Sequence, residues 1–312
     1  MDCSGVKQNS FKAWLLAARP QTLTAAAVPV MIGASMAWGM GDHSVAFWFC
    51  LAFALIMQID ANLVNDYFDF KRGNDSVDRL GPPRACTEGW ITPDAMKMGI
   101  AVTTALACLV GLPLIWFGGL WVVAVGVFCV LFCFLYTTHL SYWGLGDLLV
   151  IVFFGLVPVV MTFYLVSEVK FDFRYIWDVV AHGFTCGLVI DLLLIVNNLR
   201  DYDNDILAGK RTLAVFLGKD MTMWLYFMIP IVVMLINLLT GFHMDNDALF
   251  YTGILFLFVS SWGMIKVLNM RYGEYWNNAL PVTAFIILIY GVLTSLALVY
   301  RKDPFLDFWE SI

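Results

Sequence analysis

Two stretches decide the reading of this sequence. NLVNDYFDFKRGND (Asn62–Asp75) ends an apolar run that starts near Val45, and NNLRDYDND (Asn197–Asp205) ends one that starts near Ile176. Each run is close to the ~20 residues a helix needs to cross the hydrocarbon of a bilayer. An Asp near the bilayer centre costs roughly 2.5–3.5 kcal/mol on insertion scales. Carboxylates gathered twice, in one pattern, at the ends of apolar runs therefore point to a purpose, and divalent-metal binding is the direct one.

The rest of the chain agrees with a membrane setting. Of 312 residues, 61% are hydrophobic and only 13% charged, and the mean hydropathy is +0.80; a soluble globular domain does not have this composition. The net charge of −6 and the lack of a basic stripe exclude nucleic acid as a partner. The seven cysteines form no CxxC pair, which argues against structural zinc or a disulfide framework. No stretch near the N-terminus reads as a cleavable signal.

Counting ~20 apolar residues per crossing predicts an all-α polytopic protein with nine transmembrane helices. They fall near 22–40, 45–65, 95–117, 120–139, 145–167, 176–199, 221–240, 249–268 and 280–300, in a single domain over 1–312. With the N-terminus cytoplasmic, fourteen of the eighteen Lys and Arg fall on the cytoplasmic side, as the positive-inside rule requires. Both Asp-rich segments then open the two longest connections, about 67–94 and 201–220, on the cytoplasmic side. Long ordered loops in a compact protein are usually functional, and these two are expected to cap the cytoplasmic mouth of a central cavity.

Residues three or four apart share a helical face. Asn62, Asp66 and Asp69 have that spacing, as do Asn65 and Asp69, and again Asn197, Asp201 and Asp205 with Asn198 alongside. Oxygen-only ligands select hard cations, Mg²⁺ above all, which bridges a few carboxylates to substrate phosphates. Bases interleave with the acids: Lys71, Arg72, Arg79 and Arg84 in the first loop, Arg200, Lys210 and Arg211 in the second. Metal plus Lys and Arg neutralises a departing diphosphate; the alternative is a set of solvated salt bridges at the membrane surface. DYDND is not an EF-hand, since the required Gly and Glu do not follow. Asp203 is out of phase and expected to face solvent.

These segments resemble the paired motifs of the UbiA superfamily of intramembrane aromatic prenyltransferases, NDxxDxxxD through Asn65, Asp66 and Asp69, and DxxxD through Asp201 and Asp205. Within it the sequence is most similar to the menaquinone branch, which acts on 1,4-dihydroxy-2-naphthoate. The similarity runs through ARPQTLTAAAVPVMIGA (Ala18–Ala34), QIDANLVNDYFDFKRGNDSVDRLGPPRA (Gln58–Ala85), GLGD (Gly144–Asp147), FFG (Phe153–Gly155) and NNLRDYDNDILAGKRTLAVFLG (Asn197–Gly218). The resemblance implies a nine-helix bundle around a cavity and Mg²⁺ as cofactor. It further implies a polyprenyl diphosphate and an aromatic acceptor as substrates, with loss of the ring carboxylate on transfer, in a bacterial cytoplasmic (inner) membrane. Asp66, Asp69, Asp201 and Asp205 would hold the metal. Asn62, Asn65, Asn198, Lys71, Arg72, Arg84, Lys210 and Arg211 would steady metal or phosphates. The third motif position is Gly73, which leaves Asp75 as the next acid for the metal.

Other residues stay open on the sequence. Asp147 in GLGD either handles the ring hydroxyl and its proton or is a helix-start acid favoured by the macrodipole. Asp60 and Asp191 lie inside spans and are read as structural in preference to acceptor-binding. Arg19 could reach phosphate or mark the interface. Two other readings remain: a prenyltransferase for 4-hydroxybenzoate or homogentisate, and a cation-coupled transporter, which would carry its acids nearer the midplane.

Overall fold

The computed structural model describes residues 5–41, 44–73, 81–169, 173–268 and 278–300, with the backbone alone for 173, 174 and 268. Among them the chain is helical throughout, with nine helices long and apolar enough to cross a membrane. Span one is α1 (Phe11–Ala18) followed by α2 (Leu23–Met36); then come α3 (Ser44–Arg72), α4 (Pro93–Gly111), a short α5 (Leu114–Gly118) and α6 (Trp121–Thr138). Span five is α7 (Gly146–Val150), a π-helical turn over Ile151–Leu156 and α8 (Val157–Val166). The remainder are α9 (Phe173–Arg200), two short helices α10 (Tyr202–Leu207) and α11 (Leu213–Leu217), then α12 (Lys219–His243), α13 (Asp247–Leu268) and α14 (Ala279–Val299). The protein is a nine-span, all-α, multi-pass membrane protein.

The expected spans are found with shifted ends. Span one starts earlier, at Phe11, and α3 continues through the first Asp-rich motif to Arg72 instead of giving way to a loop at Tyr67. Nothing between Asn62 and Arg72 breaks a helix, and the stop is Gly73 in the left-handed conformation, φ 70°, the residue type that C-terminal caps favour. Lys71 and Arg72 fill the last turn, where cations meet the negative end of the helix dipole. The second connection is likewise largely helical, through α10 and α11.

Span one is broken where Arg19 turns left-handed (φ 51°) and Pro20 follows. Proline cannot donate to the helix ladder, so the break leaves backbone groups in need of partners at membrane depth. Buried Asn62 supplies one: its Nδ2 donates to the Ala18 carbonyl and to Thr22 Oγ1, both at 2.9 Å. Gln58, one turn away, donates to Thr22 Oγ1 at 3.1 Å. The polar side of α3 thereby fixes the entry of span one.

Small residues set the helix spacing, as is usual where lipid supplies no hydrophobic drive for helix association. The closest approach is between span five and α9. A methyl group placed on Gly155 would lie 2.4 Å from the Gly183 carbonyl oxygen, and one on Gly187 would lie 2.7 Å from Ile151 Cα. Gly187→Val is therefore expected to destabilise the protein by about 1–3 kcal/mol, in the range of overpacked cores, as read by thermal unfolding in detergent. Gly126→Ala, with open space around it, is the control and is expected to leave the transition unchanged or slightly raised.

Candidate functional site

Spans one to six, with one end of α14, enclose a cavity of ≈ 1210 Å³. Its walls are apolar and aromatic, including Phe53, Phe132, Phe134, Phe153 and Phe154, and its mouth is polar, formed by the ends of α3 and α9 and by the two connections. Asn65, Asp69 and Arg84 line one side of the mouth; Asn197, Asn198, Arg200, Asp201, Asp205 and Lys210 line the other. The two Asp-rich segments therefore face one another across the mouth of one cavity, although more than a hundred residues separate them in sequence.

Each cavity-facing carboxylate has a base beside it. Arg84 Nη2 lies 2.8 Å from Asp69 Oδ2. Arg200 holds Asp201 with two hydrogen bonds, Nε to Oδ1 at 2.8 Å and Nη2 to Oδ2 at 2.7 Å. Lys210 Nζ is 3.8 Å from Asp205 Oδ1. Burial pushes the Asp205 carboxyl up to about 6 and Asp201 adds to the rise, against the opposing charge of Lys210 and a hydrogen bond from Thr212. A carboxylate raised in this way gains from further positive charge at its side.

Among the described residues no three His, Cys, Asp or Glu side chains gather closely enough to cage an ion by themselves. The donor set nevertheless fits Mg²⁺, which is commonly held by one or two carboxylates and completes its shell with substrate phosphates and water. Asp69, Asp201 and Asp205, with the amides of Asn65, Asn197 and Asn198, supply oxygen donors on both sides of the mouth.

Several expected positions serve other purposes. Asp66 does not line the cavity: its Oδ2 accepts the Ala85 N–H at 2.8 Å and its Oδ1 the Cys86 N–H at 2.9 Å. On a 3.6-residue helix Asp66 points about 70° away from the centre of the face formed by Gln58, Asn62, Asn65 and Asp69, which is why equal spacing did not place it with Asp69. Asn62, although it reaches the cavity wall, spends its amide on the break in span one. Arg72 turns outward, donating from Nη1 to the Thr137 carbonyl at 2.9 Å and from Nη2 to the Thr138 carbonyl. Lys71 and Arg211 are exposed and stand off the cavity. Asp147 is buried behind the cavity wall. Asp75 lies outside the described residues.

Asp60 faces α4, where the hydroxyls of Thr103 and Thr104 donate to its two oxygens. Asp203 is largely exposed and pairs with Lys219 at 3.1 Å.

The structure adds Tyr142, which the sequence did not single out, and gives places to Arg200, Asn65 and Arg19, which it named. Arg200 is buried and lines the mouth; its place directly before Asp201 was the available signal. Tyr142 has the Arg72 guanidinium 4.6 Å from its ring centroid and Lys210 Nζ 5.3 Å from it. It thus links the end of α3 to the second connection. Nothing local to SYWGLGD announces that contact, because it is made only in the folded bundle. Asn65 accepts a hydrogen bond from the Thr137 hydroxyl, and Arg19 and Tyr136 also line the cavity.

Comparison with known proteins gives one consistent result. Residues 26–289 match the UbiA prenyltransferase family. The 1,4-dihydroxy-2-naphthoate octaprenyltransferase of Escherichia coli (strain K12) is 36% identical over 224 residues, 67% of this chain and 69% of that protein. The protein of the same name from Mycobacterium tuberculosis (strain ATCC 25618 / H37Rv) is 37% identical over 223 residues, 70% of this chain and 74% of that one. Among solved structures, a UbiA homologue from Archaeoglobus fulgidus bound to DMAPP and Mg²⁺ superposes with a TM-score of 0.63 at 13% identity, covering 92% of this chain and 98% of that one. An apo UbiA homologue from Aeropyrum pernix K1 gives 0.67 at 10% identity, covering 86% and 96%. A nine-span bundle, an apolar cavity with a carboxylate-rich mouth and these matches lead to one assignment: the chain belongs to the UbiA prenyltransferase family and is a membrane-embedded prenyltransferase.

Proposed function

We propose that the cavity binds a polyprenyl diphosphate with Mg²⁺ at its mouth, and that the protein transfers the prenyl group to 1,4-dihydroxy-2-naphthoate with loss of the ring carboxylate. The observation that carries this is the set of three carboxylates, Asp69, Asp201 and Asp205, each beside a base at the polar mouth of a large apolar cavity. Lipid-like chain fits the walls, and a charged head fits the mouth. The names of the bacterial relatives support the naphthoate acceptor.

In this reading Asp69, Asp201 and Asp205 hold Mg²⁺, which supplies charge neutralisation to the diphosphate oxygens as the allylic C–O bond breaks. Arg84, Arg200 and Lys210, each beside one of these carboxylates at the mouth, would turn to phosphate oxygens when the diphosphate binds. Asn65, Asn197 and Asn198 orient the head group. The aromatic walls present π faces to the allylic cation and keep water from it. The acceptor ring attacks that cation from the side of Tyr136. Asp66 acts one step back, fastening the first connection so that Arg84 stays over the mouth. The excess of Lys and Arg supports a cytoplasmic mouth and N-terminus, and in this reading the protein lies in a bacterial inner membrane with the whole chain acting as one domain.

Purified protein given a polyprenyl diphosphate, Mg²⁺ and dihydroxynaphthoate is expected to release pyrophosphate and form a prenylated, decarboxylated naphthoquinol, followed by mass spectrometry. EDTA should abolish product. Product from 4-hydroxybenzoate or homogentisate instead would reassign the acceptor, and no product from any acceptor would sink the proposal.

Asp66 and Asp69 are expected to fail differently. Asp69→Asn, which keeps a hydrogen-bond acceptor beside Arg84, should lower kcat by at least ~100-fold, as loss of a transition-state charge partner does, with a smaller change in thermal stability than Asp66→Ala. Asp66→Ala leaves two buried N–H groups unpaired, at roughly 1–3 kcal/mol each, and should lower the unfolding temperature and speed proteolysis within residues 81–92. Equal behaviour of the two variants in both assays would contradict this division of roles.

A further inference from the structure

A second pair of carboxylates lies deeper in the protein, outside the mouth. The contacts between span five and the antiparallel α9 fix their relative register. Gly155 meets Gly183 and Gly187, and Ile151 meets Gly187, all at backbone contact distance. One helical turn toward the mouth on each helix leads from Ile151 to Asp147 and from Gly187 to Asp191, so the two carboxyls face one another. Their charges act on each other, and both act on Tyr136. The glycines that bring the backbones together leave this pair little room to separate.

Both side chains are more than nine-tenths buried, and Oδ1 of each has no hydrogen-bond partner among the described residues. Tyr136 stands between the pair and the cavity. It lines the cavity, and its hydroxyl lies 3.8 Å from where a Cβ on Gly146, the neighbour of Asp147, would sit; Leu194, one turn on from Asp191, lies 3.4 Å from the same point. Two ionised carboxylates cannot be held in contact in apolar surroundings, because desolvation and mutual repulsion act in the same direction. A hydroxyl that lines the cavity beside such a pair, next to the backbone of Gly146, is placed to pass a proton between them. The other ionisable groups that face this region are Asp69 and Asp205, past Tyr136. Cys186 and His182 lie farther from the mouth on α9. Tyr226 and Tyr290 are hydrogen-bonded to Thr283 and Thr185 on the helices packed against it.

We propose that Asp147 and Asp191 share one proton site and, through Tyr136, borrow and return the hydroxyl proton of the aromatic acceptor. The inference rests on prenyl transfer to a hydroxylated aromatic acid. The acceptor hydroxyl gives its proton to Tyr136 Oη while Tyr136 passes its own to the free carboxylate of the pair. The resulting aryloxide pushes electron density to the ring carbon, which forms the bond to prenyl C1, and the diphosphate keeps the electron pair of the broken C1–O bond. The ring is then a ketone bearing the carboxylate; loss of CO₂ returns the electron pair to the oxygen, and the pair gives the proton back by the same route. Tyr136 is the group that touches the acceptor, and the two acids are positioning residues that act through it.

The test pairs infrared spectroscopy with kinetics on the full-length protein in detergent, using wild type, Asp147→Asn, Asp191→Asn and Tyr136→Phe. Wild type at neutral pH should show the C=O stretch of a protonated carboxylic acid, shifted in D₂O, and either single Asn variant should move that band because the remaining acid has lost the carboxylate it shared the proton with. In turnover, Asp191→Asn and Tyr136→Phe should each lower kcat by about 100-fold, the scale of lost general acid–base catalysis, with the KM for prenyl diphosphate within about twofold. An unchanged band in both Asn variants overturns the shared proton, and wild-type kcat in Asp191→Asn or Tyr136→Phe overturns the relay. If wild type forms no product, the assigned reaction and the relay built on it both fail, while the infrared band still decides whether the pair shares a proton.

Discussion

A carboxylate at the edge of hydrocarbon has to be neutralised or hydrogen-bonded, and much of this protein is arranged around that requirement. In a medium of low dielectric an uncompensated charge is among the most costly groups a fold can carry. The protein answers in several ways. Asp60 is met by two threonine hydroxyls, Asp66 by two backbone N–H groups, and Asp69, Asp201 and Asp205 by Arg84, Arg200 and Lys210. The type of partner separates framework from site. A carboxylate held by backbone or hydroxyl is committed to the fold, whereas in the proposed reading one held by a cationic side chain exchanges that partner for a metal and a diphosphate.

The framework and the site also depend on one another along α3. Gln58 and Asn62 secure the break in span one, Asp66 secures the first connection, and Asn65 and Asp69 face the mouth. Two of these tasks concern backbone left without partners, by a proline at membrane depth and by a turn laid over the end of the bundle. The same helix that offers ligands therefore also holds the pieces that shape the space around them, which is why Asp66 and Asp69, so close in sequence, have such different surroundings.

Hydropathy carried the fold: nine spans follow from apolar run length, because only hydrogen-bonded helices satisfy backbone groups in lipid. It carried their ends less well. Span one starts at Phe11 because α1 precedes the Arg19–Pro20 break, and α3 outlasts its apolar run by a charged turn that stays helical until Gly73. At the site, residue type and clustering pointed to the mouth, but spacing alone grouped Asp66 with Asp69. Helical phase is a statement about a face, and which face meets the cavity is set by tertiary packing. Tyr142 between Arg72 and Lys210, and Asp191 opposite Asp147, were illegible for the same reason, since each depends on the register between segments far apart in the chain. Asp191 in particular reads as an isolated costly acid until the Gly155–Gly187 contact shows what it faces.

The central claim is that the mouth becomes a metal–diphosphate site through Asp69, Asp201 and Asp205. The most direct measurement is an experimentally determined structure of the protein in lipid with Mn²⁺ and a non-ionisable prenyl diphosphate analogue, with the metal located by its anomalous signal. The account predicts Mn²⁺ peaks between these three carboxylates and the diphosphate, with Arg84, Arg200 and Lys210 turned onto phosphate oxygens and Asp66 still bound to the Ala85 and Cys86 N–H groups. Metal on Asp66 in place of Asp69, or a diphosphate seated at the mouth with the three carboxylates still paired to their bases, would contradict it.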